Sequence, residues 1–247
     1  MDLLALAGIA LGLAAIVLGN FMEGGVLAGL LNGPAALIVF GGTLAATLVQ
    51  TPGNILQIAL QRSSWVLLPP RYDYDDLLDQ ICQWASAARR EGLLGLEKLA
   101  EIEPNLIARK GLKLLADGQT ADNIRNSLEI DLFKQEESGH QAANVYESMG
   151  GYAPTIGIIG AVLGLMQVLN NISTPDQLGP GIATAFVATV YGVGSANLVF
   201  IPIGQRLKAW VKREYVYHEL IIEGLVAIAE GEHPNAIRYR FEIIRRG

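Results

Sequence analysis

Residues 152–169 read YAPTIGIIGAVLGLMQVL, and residues 180–205 read PGIATAFVATVYGVGSANLVFIPIGQ. Neither run contains Asp, Glu, Lys, Arg or His. Each is long enough to cross a hydrocarbon core of about 30 Å at roughly 1.5 Å per helical residue. The polar stretch Asn170–Gly179 between them makes the pair a helical hairpin in a membrane. Small residues fall near one face of each run. In the first they are Ala153, Gly157, Gly160, Ala161 and Gly164, with Gly160 and Gly164 forming a GxxxG pair. In the second they are Gly181, Ala185, Ala188, Thr189, Gly192 and Ala196. Such stripes let helix backbones approach closely where apolar burial alone gives no driving force.

The rest of the chain extends this reading. Of 247 residues, 51% are hydrophobic and 17% charged, a membrane-protein composition. The formal net charge of −6 argues against nucleic acid as a partner. The single cysteine, Cys82, has no intrachain partner and reads as a small core hydrophobe. No zinc spacing, P-loop, GxSxG or Cys/His constellation is present, so neither an enzyme nor a resident metal or cofactor is expected. His140, His218 and His233 lie outside the spans and are read as surface residues.

Leu3–Phe21 is the first expected span. It lacks a basic leader and a small-residue cleavage site, so it is read as retained and not as a signal peptide. A Gly-rich turn follows, flanked by Asn20 and Asn32 as polar residues flank an interface. Pro34–Gln50 is the second span, with Pro34 suited to a first helical turn. Residues 51–150 form a polar insertion too long for a loop. In it, Asp73 caps a helix that keeps Leu77, Leu78, Ile81, Trp84, Ala85 and Ala88 at helical spacing, ending at Arg89–Arg90 before Gly92. Further helices are expected over Leu93–Ile102, Leu106–Ala116, from Thr120 or Asp122 through Leu132, and over Lys134–Ser148. Residues 206–231 continue the last span, and Ala236–Ile244 forms a final helix.

The fold class is thus an all-α integral membrane protein of four spans, with a helical domain (residues 51–150) inserted between spans 2 and 3 and a helical tail (residues 206–247). Ten of the 18 Lys and Arg residues lie in residues 51–150 and the other eight after Gln205. The excess of basic residues puts the insertion, the tail and both termini in the cytoplasm.

Four blocks carry a family resemblance: GNFMEGG (19–25) with LLNGPAALIVFGGT (30–43), ARREGLLGLE (88–97), MGGYAPTIGIIGAVLGL (149–165) and AFVATVYGVGSANL (185–198). In this order they resemble the A-subunit of flagellar motor stators, the MotA/PomA family of the bacterial inner membrane. The resemblance implies a ring of A-subunits, a pentamer, around a dimer of a peptidoglycan-binding B-subunit held by spans 3 and 4. It also implies inward ion flow coupled to torque on the rotor protein FliG. Arg89, Arg90 and Glu97 match the cluster that faces the rotor. Pro154 and Pro202 match prolines of conformational coupling, and Ala161, Ala188 and Thr189 match positions on the ion path. Sodium-driven relatives tend to carry hydroxyls at all three of those positions. Only Thr189 does here, which favours protons over sodium.

Independently of the family, the two runs offer the hydroxyls of Thr155, Thr184, Thr189 and Ser195 and no carboxylate. Intramembrane acids are the usual proton relays, so a partner helix is expected to supply one beside Thr189. Each residue also has a plainer role. Thr189 can bond a carbonyl of its own helix, and Pro154 can sit harmlessly near a span start. Arg89 and Arg90 favour a helix C-terminus, and the small stripes can serve packing alone. An ExbB/TolQ-like energiser and a non-conducting scaffold remain as alternatives. The former usually lacks the first hairpin and the ARREGLLGLE block.

Overall fold

The computed structural model describes residues 3–175 and 178–246, so residues 176 and 177 of the expected loop lie outside it. Every regular element among the described residues is helical. In chain order these are α1 (Leu3–Met22), α2 (residues 33–50), α3 (Gly53–Arg62), α4 (Tyr74–Glu91), α5 (Leu96–Ile102), α6 (Leu106–Ala116), α7 (Ala121–Asn170), α8 (Leu178–Ala229) and α9 (Pro234–Arg246). α2 and α8 each contain one wide π turn, Leu37–Gly41 and Ala196–Phe200.

Local chemistry sets the boundaries. Asn32 accepts a hydrogen bond from the Ala35 amide at 2.9 Å, and Pro34 occupies the first turn of α2. Asp73 caps α4 through the amides of Asp75 and Asp76, and Gly92, at φ 75°, ends it. Asn105 caps α6 through the amides of Ile107 and Ala108.

Two expectations fail. The helices expected over residues 120–132 and 134–148, and the third span, are one helix of 50 residues. Nothing between Ile124 and Ser148 stops a helix, since the lone Gly139 costs only about 1 kcal/mol relative to Ala. Pro154 consequently lies deep inside α7 and not near a helix start. α3 lies in the stretch before Asp73, for which no helix is expected above, and buries Ile55 and Ala59 against Ala142 and Val145.

Three helical runs are long and apolar enough to cross a membrane, Leu27–Gln50, Ala121–Asn170 and Leu178–Ala229, and Leu6–Met22 is a shorter apolar helix. The chain divides into two compact units, one of residues up to 69 with 138–210, the other of 70–137 with 211 onward.

The first unit is organised by a seam between α7 and α8. A methyl group placed on Gly192 would lie 2.5 Å from the Ala153 carbonyl oxygen, and one on Gly164 would lie 2.7 Å from the Gly181 oxygen and the Ala185 nitrogen. The two backbones therefore touch, which only the missing side chains allow. α2 closes the third side, with Ala35 and Val39 buried against Val187 and Ala188.

In the second unit, α4, α6, α7, α8 and α9 enclose an apolar core around Ile81, Leu112, Leu128 and Leu225. The tail helix α9 belongs to this core, burying Ile237 and Phe241. Cys82 is buried there, as read from its amphipathic context. Glu223 joins three helices, receiving Arg125 at 2.6 Å and Arg240 at 2.9 Å. The Arg125 hydrogen bond holds the Glu223 carboxyl below its usual range.

The seam makes a sharp prediction. Gly192→Val drives a side chain into the Ala153 backbone and destabilises the first unit by about 3 kcal/mol. Gly194→Ala, at a helical position with nothing within 4 Å, keeps or raises stability, by up to about 1 kcal/mol. Thermal denaturation of the purified variants, followed by circular dichroism, separates the two.

Candidate functional site

The seam sorts the expected site residues. Ala188 is fully buried, at 0% exposure, between α2, α7 and α8. A methyl group on Gly157 would lie 2.9 Å from its carbonyl oxygen, and one on Gly160 2.7 Å from its Cβ. Thr189, one residue on, falls outside the seam and is exposed. So is Thr155 on α7, and Ala161 is half-buried. The small-residue stripe is therefore a packing surface, and Thr189 stands beside it on the outer side of α8.

Both exposed hydroxyls spend their proton within their own helix. Thr189 Oγ1 donates to the Ala185 carbonyl at 3.2 Å, and Thr155 Oγ1 to the Tyr152 carbonyl at 2.8 Å. The plainer reading of Thr189 thus holds. It also has a chemical consequence, because a hydroxyl that donates inward keeps its lone pairs free to accept from outside.

A second polar group was not foreseen. The Tyr191 hydroxyl donates to the Leu30 carbonyl and accepts the Asn32 amide at 3.3 Å, while Asn32 Nδ2 donates to Thr184 Oγ1 at 3.0 Å. The Tyr191 ring stacks on Phe40 with centroids 5.7 Å apart. The turn after α1 is thereby tied to α8. The signal in the sequence was a tyrosine within an uncharged span, since a buried Tyr hydroxyl needs a partner. From the sequence alone, Asn32 reads only as an interface residue.

The prolines differ in setting. Pro202 lies two residues beyond the end of the π turn Ala196–Phe200. A proline ring collides with the carbonyl four residues earlier, here Leu198, and a wide turn gives it room. Pro154 lies inside α7 after Gly150 and Gly151.

In the second unit, Arg89 and Arg90 occupy the last turn of α4. Arg89 donates to the Gly231 carbonyl at 3.2 Å, and Arg90 pairs with its neighbour Glu91 at 2.9 Å with 76% of its side chain exposed. Glu97 is exposed on α5 and makes no ion pair among the described residues. Exposed pairs of this kind contribute under about 1 kcal/mol to stability. Among the described residues no cluster of three or more His, Cys, Asp or Glu is placed to hold a metal.

This arrangement has counterparts. A profile for the MotA/TolQ/ExbB proton channel family matches residues 100–219. Motility protein A of Helicobacter pylori is 34% identical over 95% of this chain and 91% of its own length. The structure of C. jejuni MotAB is similar with a TM-score of 0.89 at 30% identity, over 97% of this chain and 94% of that one. The structure of the flagellar MotAB stator complex from Bacillus subtilis gives a TM-score of 0.83 at 32% identity, over 95% and 92%.

Tyr191→Phe keeps the stack on Phe40 but strips the Leu30 carbonyl and the Asn32 amide of their partner. The expected cost is about 1 kcal/mol, confined to the turn. Hydrogen exchange should show faster exchange at residues 26–32 and no change in α7.

Proposed function

The chain belongs to the MotA/PomA family of motility proteins, within the MotA/TolQ/ExbB proton channel family, and from that premise we propose that it is an ion-conducting stator subunit of a bacterial flagellar motor. The family is one of proton channels and not of enzymes. The chain is read as a four-span protein of the inner membrane, with both termini, residues 51–150 and residues 206–247 in the cytoplasm. The basic-residue count supports this. Five copies would surround a B-subunit dimer, and inward ion flow, of protons in preference to sodium, would drive rotation.

The observation that carries this reading is a pair of outward-facing hydroxyls on spans without any acid. Thr155 and Thr189 present lone pairs on the outside of the α7–α8 pair. A partner helix packed there supplies the carboxyl group. When that group is protonated, its O–H donates to a threonine that already donates inward. When it is ionised, it accepts only if the threonine rotates its proton outward and gives up the bond to its own helix. The two charge states thus favour different local packings, which is the differential interaction that a conformational step requires. Desolvation sharpens the difference, because an ionised carboxylate is costly in a low-dielectric site. Ala161 lines the same path in this reading, and Ala188 supports it from behind within the seam.

Pro154 and Pro202 would carry the step along their helices, where each lacks one backbone hydrogen bond and bending is easiest. Arg89, Arg90 and Glu97 would meet opposite charges on FliG. There, complementarity sets register and capture rate more than affinity.

Thr189→Val removes the acceptor and is nearly isosteric, while Thr189→Ser keeps it. The valine variant is expected to lower swimming speed at least tenfold with normal protein levels, and the serine variant to retain most of it. Speed of the native strain should not depend on external sodium at fixed pH. Equal speeds for both variants would contradict the role of Thr189.

A further inference from the structure

Of the three histidines, His218 departs from its surface reading. It is 6% exposed, on the core-facing side of α8 with Ile221, Ile222 and Leu225. Beside it Glu103, 5% exposed, closes α5 and is followed by Pro104 and by Asn105, the cap of α6. The carboxylate of Glu103 accepts Gln80 Nε2 at 2.6 Å and the Asn105 amide at 2.9 Å, while its backbone carbonyl accepts Arg109 Nε at 2.7 Å. Asn105 Nδ2 lies 3.0 Å from His218 Nε2.

The protonation state of this contact is fixed by the cap. Asn105 Oδ1 already accepts the amides of Ile107 and Ala108 at 3.0 and 3.1 Å. The side-chain amide therefore cannot turn around without uncapping α6, and it is its NH2 group that faces the ring. An NH2 group only donates, so His218 Nε2 must be the acceptor and the ring must be neutral with its proton on Nδ1. A proton added at Nε2 sets two donors against each other.

We propose that His218 is a proton-sensitive latch on the α5–α6 corner. In its neutral form it holds Asn105, and through Asn105 the cap of α6 and the end of α5. When protonated it expels the Asn105 side chain and releases the corner. Charged and titratable groups around it include Glu103 and Arg109 at the corner, the neighbouring Tyr217 with Tyr72, Tyr74, Asp73 and Asp76 about its ring, and Glu214, Tyr215 and Glu219 on α8 itself. The Tyr217 ring stands 6.0 Å from His218, edge-on. Burial, then Glu103, Asp73 and Asp76, push the Tyr217 hydroxyl up, so it stays neutral throughout. Glu97 lies on α5, one turn and a half before this corner. A cytoplasm acidified by inward proton flow would thus loosen the helix that carries one of the rotor-facing residues. Only that last link rests on the motor reading, and the latch stands on the geometry of the second unit.

A histidine in an open chain titrates near pH 6.5. If the closed corner excludes the proton, opening takes one up, and protection is full above that pH and falls about tenfold per unit below it. The test is hydrogen exchange on the full chain, purified with its B-subunit, at pH 7.5 and 5.5, with intrinsic rates normalised. Peptides covering residues 103–109 should lose about tenfold in protection at the lower pH, and His218→Gln, whose oxygen accepts from Asn105 without titrating, should lose none. Asn105→Asp keeps an oxygen for the cap and offers a carboxylate to the imidazolium. Its protection should rise on acidification, so this variant decides the matter even if His218→Gln does not fold. A corner whose protection is the same at both pH values, or an Asn105→Asp variant that loosens with acid as the native chain does, overturns the proposal.

Discussion

The contact between the α7 and α8 backbones governs the rest of the first unit. Gly157, Gly164 and Gly192 bring carbonyl oxygens of one helix to within a methyl group's reach of the other. In a bilayer, where lipid tails solvate apolar side chains as well as a neighbouring helix does, such backbone proximity is what dispersion and packing can act on. Once the seam is closed, the remaining faces are assigned. Ala188 turns inward against α2, and Thr155 and Thr189 turn outward.

That assignment changes how the small-residue stripes bear on function. A stripe suggests an open groove for another helix to fill. Here it is consumed by packing within the chain, and the surface left for a partner is the adjacent one, bearing hydroxyls and medium-sized apolar groups. The hydroxyls are neither free donors nor inert. Each has committed its proton to its own helix and retains acceptor capacity. In the proposed reading, such hydroxyls would distinguish a protonated from an ionised carboxyl group on a partner although neither of them titrates.

Much of the architecture could be read from residue types. Asp73 and Gly92 punctuate α4 where capping chemistry requires, and the spacing of Leu77, Ile81 and Trp84 marks a buried face. The continuity of α7 was missed because polar and apolar halves of one helix carry different patterns and invite a boundary between them. The burial of His218 was missed because a single histidine among Tyr217, Glu219 and Leu220 has no sequence signature. Its place depends on Asn105, over a hundred residues away. The tie from Tyr191 to Leu30 and Asn32 is likewise a long-range contact, visible beforehand only as a hydroxyl in need of a partner. The positions of Arg90 and Glu97 on the surface follow from helix ends, whereas any role at a rotor comes from likeness to relatives.

The central question is whether this chain makes only part of a conduit. Proton flux into liposomes bearing a set potential measures that directly, with the chain reconstituted alone and then together with the B-subunit proposed as its partner. The account predicts liposomes as tight as protein-free ones for the chain alone, and flux in the second case that is lost with Thr189→Val. Equal flux through the chain alone would contradict it.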